Sequence, residues 1–408
     1  MTTRETIDLA NQVLMPNYRR WPVAFVEGQG MRVWDAEGKE YLDFVAGIAV
    51  DVLGHCHPHH IRAIQQQATR LIHTSNLYQI PQQAELGRLL VEVTGIPTGK
   101  VFFCNSGAEA AEGAIKLARK AARAVRGRDA YEIIVADHGF HGRTMGALAA
   151  TMVPRYHEGF EPLVPGFVCV PPNDLGAVER ALTPKTAAVF MEPIQGEGGI
   201  NPTDDAYLSG LRRLCDDRGI WMILDEVQTG FGRTGRWFAY QHAGITPDIV
   251  TLAKGMGGGV PIGAMVARAQ LADAFQPGSH GSTFAGGPLI CAAALAVVRA
   301  IREEGLVENA AAMGAYLTDR LRHLAKSHPV ITGVRGRGLM VAIGLDGPSE
   351  PVVAACLERG LLVNNVQPNA IRFVPPLIVQ REDIDEAIKI LDAALSAVGA
   401  EAGKAAAR

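Results

Sequence analysis

The sequence predicts an α/β protein, with a large domain built on a mostly parallel central sheet and a smaller α+β domain after it. Two observations carry this. Between residues 100 and 300, short apolar runs alternate with helical stretches, and each run is apolar on both faces, as strands covered by helices on both sides are. Beyond Pro329 the pattern changes to short strands around one helix. A chain of 408 residues, 48% hydrophobic, is long enough to bury one large core and a second, smaller one.

Residues 1–50 are expected to form an N-terminal segment that packs with the small domain. Short strands lie around MRVWDAEGKEYLDF (31–44), with a turn at Glu37-Gly38. Residues 51–300 are expected to be the large domain. VFFCN (101–105) reads as a strand, followed by an Ala/Lys/Arg-rich helix to Arg126. EIIVAD (132–137), FVCVP (167–171), AAVFMEP (187–193), GIWMILDE (219–226), DIVTLAK (248–254) and GAMVA (263–267) read as further buried strands. Residues 286–324 read as one long helix. Residues 301–408 are expected to be the small domain, with VRGRGLMVAIGL (334–345), the helix VVAACLERG, LLVNNV (361–366) and AIRFVPP (370–376). The tail GAEAGKAAAR is expected to fray.

Composition excludes several classes of function. The net charge is −3, without a basic block or acidic tail, so no nucleic-acid or membrane-surface partner is expected. No apolar run approaches the roughly 18–20 residues that span a bilayer, and the N-terminus does not read as a signal peptide. The six cysteines are scattered and never form C-x-x-C, which suits a reducing cytoplasm. HCHPHH (55–60) groups four histidines, but Pro58 marks a turn and no second ligand cluster is evident. No metal is expected.

The functional signal lies at the strand ends, where sheets of this kind bind ligands. GIWMILDE delivers two adjacent acids, Asp225 and Glu226, to the tip of a buried strand. A buried unpaired carboxylate is costly, so a cation or donor must meet Asp225. SGAEA after VFFCN places Ser106 as an N-cap and Glu109 three residues on, a capping box. The same helix start, with Gly107 letting backbone come close, also suits a phosphate. HGFHGRT after EIIVAD supplies Phe140, His141 and Arg143. DIVTLAK ends in Lys254, ahead of Gly255 and Gly257–Gly259. Singly, Lys254 reads as solvated, Phe140 as core, His141 as a turn residue and Arg143 as a partner for a surface acid. Together they answer one chemical need. Pyridoxal 5'-phosphate requires a lysine to hold it, a carboxylate at its ring nitrogen, a phosphate cradle and an aromatic face.

These residues resemble the class III, fold-type-I aminotransferases, and the resemblance covers essentially the whole chain. ILDEVQTGFGRTG (223–235) with PDIVTLAKGMGGGVPIGA (247–264) looks like the family signature. GHCHP, HTSNLY, VFFCNSGAEA, FHGRTMGALAAT, GFEPLVPGF, EPIQGEGG and GSHGSTF are most similar to its acetylornithine branch. The resemblance implies that Lys254 holds the cofactor and shuttles the substrate proton. It implies that Asp225 binds the ring nitrogen, Gln228 the ring hydroxyl, and that Phe140 stacks on the ring. Ser106, Gly107 and Ala108 would receive the phosphate, with Thr283 reaching it from the other subunit of a homodimer with shared active sites. Ser282 and Tyr18 would line the substrate pocket. Arg143 would grip a substrate carboxylate and Arg372 the second carboxylate of 2-oxoglutarate. Glu197 would mask Arg372 for donors with one carboxylate, against the alternative of a structural ion pair. The family usually reads TFGGNPL where this chain has Ala285 and Gly287 between Thr283 and Leu289.

The expected reaction is transfer of the amine of N2-acetyl-L-ornithine to 2-oxoglutarate, in arginine biosynthesis. Succinylornithine, ornithine, 4-aminobutyrate and succinyl-diaminopimelate are the rival substrates. An isomerase or racemase on the same cofactor, or a binding protein that keeps the fold, are the rivals of other classes.

Overall fold

The computed structural model describes residues 1–127 and 129–406, with side chains to residue 400. Its centre is a seven-stranded sheet. The strands run, edge to edge, Lys100–Cys104, Gly263–Ala267, Ile249–Leu252, Trp221–Asp225, Thr186–Met191, Glu132–Ala136 and Phe167–Val170. Gly263–Ala267 is antiparallel to both neighbours, and the other pairings are parallel. All seven expected strands are present in this sheet.

Their unbroken apolarity has a direct cause. Alternate residues face two different cores: Ile223 and Ile249 join Ala111, Ala114 and Ala118 of the helix Gly107–Arg126 on one side. Met222, Leu224 and Val250 join the main core on the other. The alanines of that helix recur at helical spacing and let it lie close on the sheet.

A second, all-antiparallel sheet runs Ile331–Arg337, Met340–Leu345, Ala370–Phe373, Asn364–Gln367, with Ala342 opposite Arg372. A third joins Phe25–Gln29, Arg32–Asp35 and Glu40–Asp43 to the C-terminal strand Leu361–Leu362. The turn at Glu37-Gly38 is present, with Gly38 at φ 83.

Two expectations are corrected. The helix expected over 286–324 is two, Pro288–Glu303 and Leu306–Ser327, because Gly305 adopts φ 62 and breaks the hydrogen-bond ladder. The tail is helical to Ala406, as the end of Arg381–Ala406, and its last two residues lie outside the described ones. The capping box is also shifted by one residue. Ser106 Oγ accepts from the Glu109 amide, but the Glu109 carboxylate reaches the amide of Asn105 instead of that of Ser106. Among the described residues no helix is long and apolar enough to cross a membrane.

Candidate active site

A cleft of about 450 Å³ opens where strands of the large sheet end. Ser106, Gly107, Ala108, Phe140, Arg143, Asp225, Gln228 and Lys254 all line it, so the structure gathers these eight expected residues in one place. They come from four strand ends, and the helix start Ser106–Ala108 follows one of them.

Asp225 has a protein partner. Its Oδ2 lies 2.7 Å from Nδ1 of His141, and its Oδ1 accepts the Val227 amide at 3.1 Å. Both side chains are buried, and the imidazole lies flat on Phe190, with centroids 3.9 Å apart. His141, read from sequence as a turn residue, is thus part of the site. Glu192 was also missed. Its carboxylate accepts the amides of Phe140 (2.9 Å) and Gly196 (3.0 Å), tying two loops of the cleft together. Burial, with Asp225 close by, pushes the Glu192 carboxyl up to about 7. Of two neighbouring acids, Glu192 is the one burial pushes up, while Asp225 has His141 as its partner.

The lysine sits in a strained turn. Lys254 has φ 44, a left-handed value that costs a non-glycine residue roughly 1–3 kcal/mol. Burial pushes its amine down to about 8, against the pull of Glu197, Asp225 and Glu192. An amine at that value is far more often a neutral nucleophile near neutrality than an ordinary lysine.

The helix start fits a phosphate. Ser106 itself satisfies the amides of Glu109 and Ala110. That leaves the amides of Gly107 and Ala108, both lining the cleft, without an intrahelical acceptor. Gly142, at φ 135, lets the loop with Phe140 and Arg143 press on this helix. A Cβ there would stand 2.7 Å from Cβ of Ala108. Glu112 fixes the same loop by accepting from Thr144 Oγ1 and the amides of Gly146 and Ala147.

Beside Gln228 but outside the cleft lining, Arg372 is wholly buried and donates to Glu197 Oε1 (2.8 Å), Gln228 Oε1 (3.1 Å) and Asn364 Oδ1 (3.3 Å). Its Nη2 is buried without an acceptor. Burial pushes the Glu197 carboxyl up, but the Arg372 guanidinium outweighs this and holds it below the usual range. Gln228 bridges the pair, donating to Glu197 at 3.1 Å. Arg143 is exposed and pairs with no acid among the described residues. Its guanidinium lies 3.5 Å from the centroid of Tyr156.

Five expected residues lie outside the cleft lining of the single chain: Glu197 and Arg372, which meet it through Gln228, and Ser282, Thr283 and Tyr18. Ser282 Oγ is engaged by Asn105 Nδ2 at 3.0 Å. Thr283 is exposed beside it. Tyr18, 69% exposed, sits in irregular chain after the first helix, under the guanidinium of Arg20. Near Ala285, the changed stretch is held by Asn76 Nδ2, which donates to its carbonyl at 2.9 Å, and Gly287 caps the next helix. Val227, two residues past Asp225, lines the cleft and was also missed. The donor set therefore fits pyridoxal phosphate: an amine, a carboxylate backed by an imidazole, free helix amides and an aromatic wall.

The amine makes a direct test. In protein stripped of cofactor, the rate of covalent capture of added pyridoxal phosphate is expected to rise with pH through a midpoint near 8, because only the neutral amine attacks. A midpoint near the ordinary lysine value of 10.5 would contradict the buried setting.

Comparison with known proteins agrees. The family model "Aminotransferase class-III" matches residues 13–395. The acetylornithine aminotransferase of Caldanaerobacter subterraneus is 52% identical, over 96% of this chain and 99% of that protein. That of Methanocaldococcus jannaschii is 50% identical over 96% and 98%. The crystal structure of the ornithine aminotransferase from Toxoplasma gondii superposes with a TM-score of 0.95 at 37% identity, over 98% and 96% of the two chains. The acetylornithine aminotransferase from Elizabethkingia anophelis gives 0.86 at 34%, over 97% and 99%. Since family match and relatives alike span nearly the full chain, the protein belongs to the class III aminotransferases, a family dependent on pyridoxal phosphate.

Proposed function

We propose that the protein transfers the ω-amine of N2-acetyl-L-ornithine to 2-oxoglutarate, giving N-acetyl-L-glutamate 5-semialdehyde and L-glutamate. The observation that carries the reading is the pairing of Glu197 with a buried Arg372, both bonded to Gln228 at the cleft wall, while Arg143 lines the cleft without an acid partner among the described residues. One carboxylate can be held at all times by Arg143, while a second is accepted only when Glu197 moves aside. A donor with one carboxylate and an acceptor with two meet that description, and the relatives of about half identity are acetylornithine aminotransferases.

When bound, the cofactor supplies an electron sink that stabilises negative charge on the substrate carbon. The chain's residues do the rest. Lys254 Nζ anchors the cofactor and moves the proton at the amine-bearing carbon. Asp225, oriented by His141, would meet the ring nitrogen. Gln228 would hold the ring hydroxyl, Phe140 and Val227 would supply the apolar walls for the ring, and the Gly107 and Ala108 amides would hold the phosphate. Arg143 orients the substrate carboxylate by a two-pronged contact. Thr283, Ser282 and Tyr18, which lie outside the cleft of one chain, act at the shared boundary of a homodimer, with Thr283 completing the partner's phosphate site. We place the division of the chain at residues 1–50, 51–300 and 301–408, and the enzyme in the cytoplasm.

A panel of amines assayed in single turnover tests the substrate. Acetylornithine is expected to give the highest kcat/KM; a clear preference for ornithine or 4-aminobutyrate would reject it. Glu197→Gln tests the gate. With the charge on Arg372 unmasked, KM for 2-oxoglutarate is expected to fall while that for acetylornithine rises, each by about threefold to tenfold. Equal changes in both would make the pair merely structural.

A further inference from the structure

Arg233 and Arg372 are the largest fully buried side chains, each at 0% exposure, and unlike Arg372, Arg233 has no carboxylate partner among the described residues. Its Nη1 donates to the carbonyls of Leu339 (3.1 Å) and Pro375, while Nε and Nη2 have no acceptor. Burial pulls its guanidinium down to about 9. A cation held only by carbonyl oxygens is a costly way to fill a core, and an apolar side chain of similar volume fills one more cheaply. Arg233 does not line the cleft and, unlike Arg372, its guanidinium bonds to no residue that does.

Its two acceptors define what it does. Leu339 immediately precedes the strand Met340–Leu345, and Pro375 follows the strand Ala370–Phe373 by two residues. These strands pair with Ala342 opposite Arg372. The Leu339 amide returns a bond to the Arg233 carbonyl at 2.9 Å. On the other side, the same loop leans on the turn of the catalytic lysine: a Cβ at Gly255 would lie 3.4 Å from Cβ of Phe231. The contacts therefore run from Lys254–Gly255 through Phe231–Arg233 to Pro375 and back to Arg372.

We infer that Arg233 is a positioning residue that fixes the span between Lys254 and Arg372, and so the length of dicarboxylate the site accepts. The inference rests on the reading of Arg372 as the grip for the acceptor's second carboxylate. The donor's grip, Arg143, follows a strand of the same sheet as the one that leads to Lys254, so its span does not cross this clasp. Loosening the clasp falls on the acceptor half of the reaction.

Holoenzyme carrying Arg233→Met tests this, with Arg233→Lys as the conservative variant. The cofactor absorbance is expected to stay unchanged and the donor half-reaction to stay within about threefold of wild type. KM for 2-oxoglutarate is expected to rise about tenfold or more, and the preference for 2-oxoglutarate over the one-carbon-shorter oxaloacetate to shrink. Arg233→Lys should recover part of both. An unchanged KM for 2-oxoglutarate, or losses of equal size in both half-reactions, would overturn the inference. If Arg233→Met yields no folded holoenzyme, Arg233→Lys carries the same comparison, and a uniform loss there overturns it equally. A wild-type enzyme that ignores 2-oxoglutarate but uses another oxo acid would fail the functional reading instead, and the same KM comparison is then made with that acid.

Discussion

The contact between Asp225 and His141, 2.7 Å long and buried on both sides, is the constraint around which the site is arranged. A carboxylate at the tip of a buried strand would be expensive alone. The imidazole meets it, and the imidazole is in turn pinned against Phe190 and by its amide, which donates to Thr151 Oγ1 at 2.9 Å. One face of the acid is thus fixed from behind, and its strand end opens on the cleft. Glu192, which also lines the cleft, is an acid that burial pushes up and that organises backbone amides.

The neighbouring Glu226 answers a different need. It is fully buried and turns away into the fold, where it accepts from Thr229 Oγ1 and from the Tyr240 amide at 2.9 Å. Burial pushes its carboxyl up to about 7. It ties both ends of the long loop from Glu226 to Tyr240, the loop that carries Gln228 and Arg233. Two adjacent acids therefore divide the work, one lining the cleft with His141 behind it and one tying the loop that surrounds it.

Much of this was legible in the sequence because its causes are local. Strands buried on both faces are apolar throughout, so all seven of the large sheet stood out, and Lys254, Asp225 and Ser106 could be read at their tips. Local reasoning failed where a single residue's partner lies far along the chain. His141 looked like a turn residue because glycines flank it, and only the fold brings it to Asp225, 84 positions on. Glu192 followed an apolar run but gave no periodic signal. Gly305 was hidden inside a helical pattern that its backbone interrupts. Ser282, Thr283 and Tyr18 were expected from the family resemblance alone, and within the single chain they lie outside the cleft lining.

The dependence of the site on the charge of Asp225 can be read at the atom it is held to serve. Protein reconstituted with ring-15N pyridoxal phosphate should show a protonated ring nitrogen across neutral pH, and Asp225→Ala should lose that proton. A nitrogen that stays protonated in Asp225→Ala, or is unprotonated in the wild type, would contradict the role given to the Asp225–His141 pair.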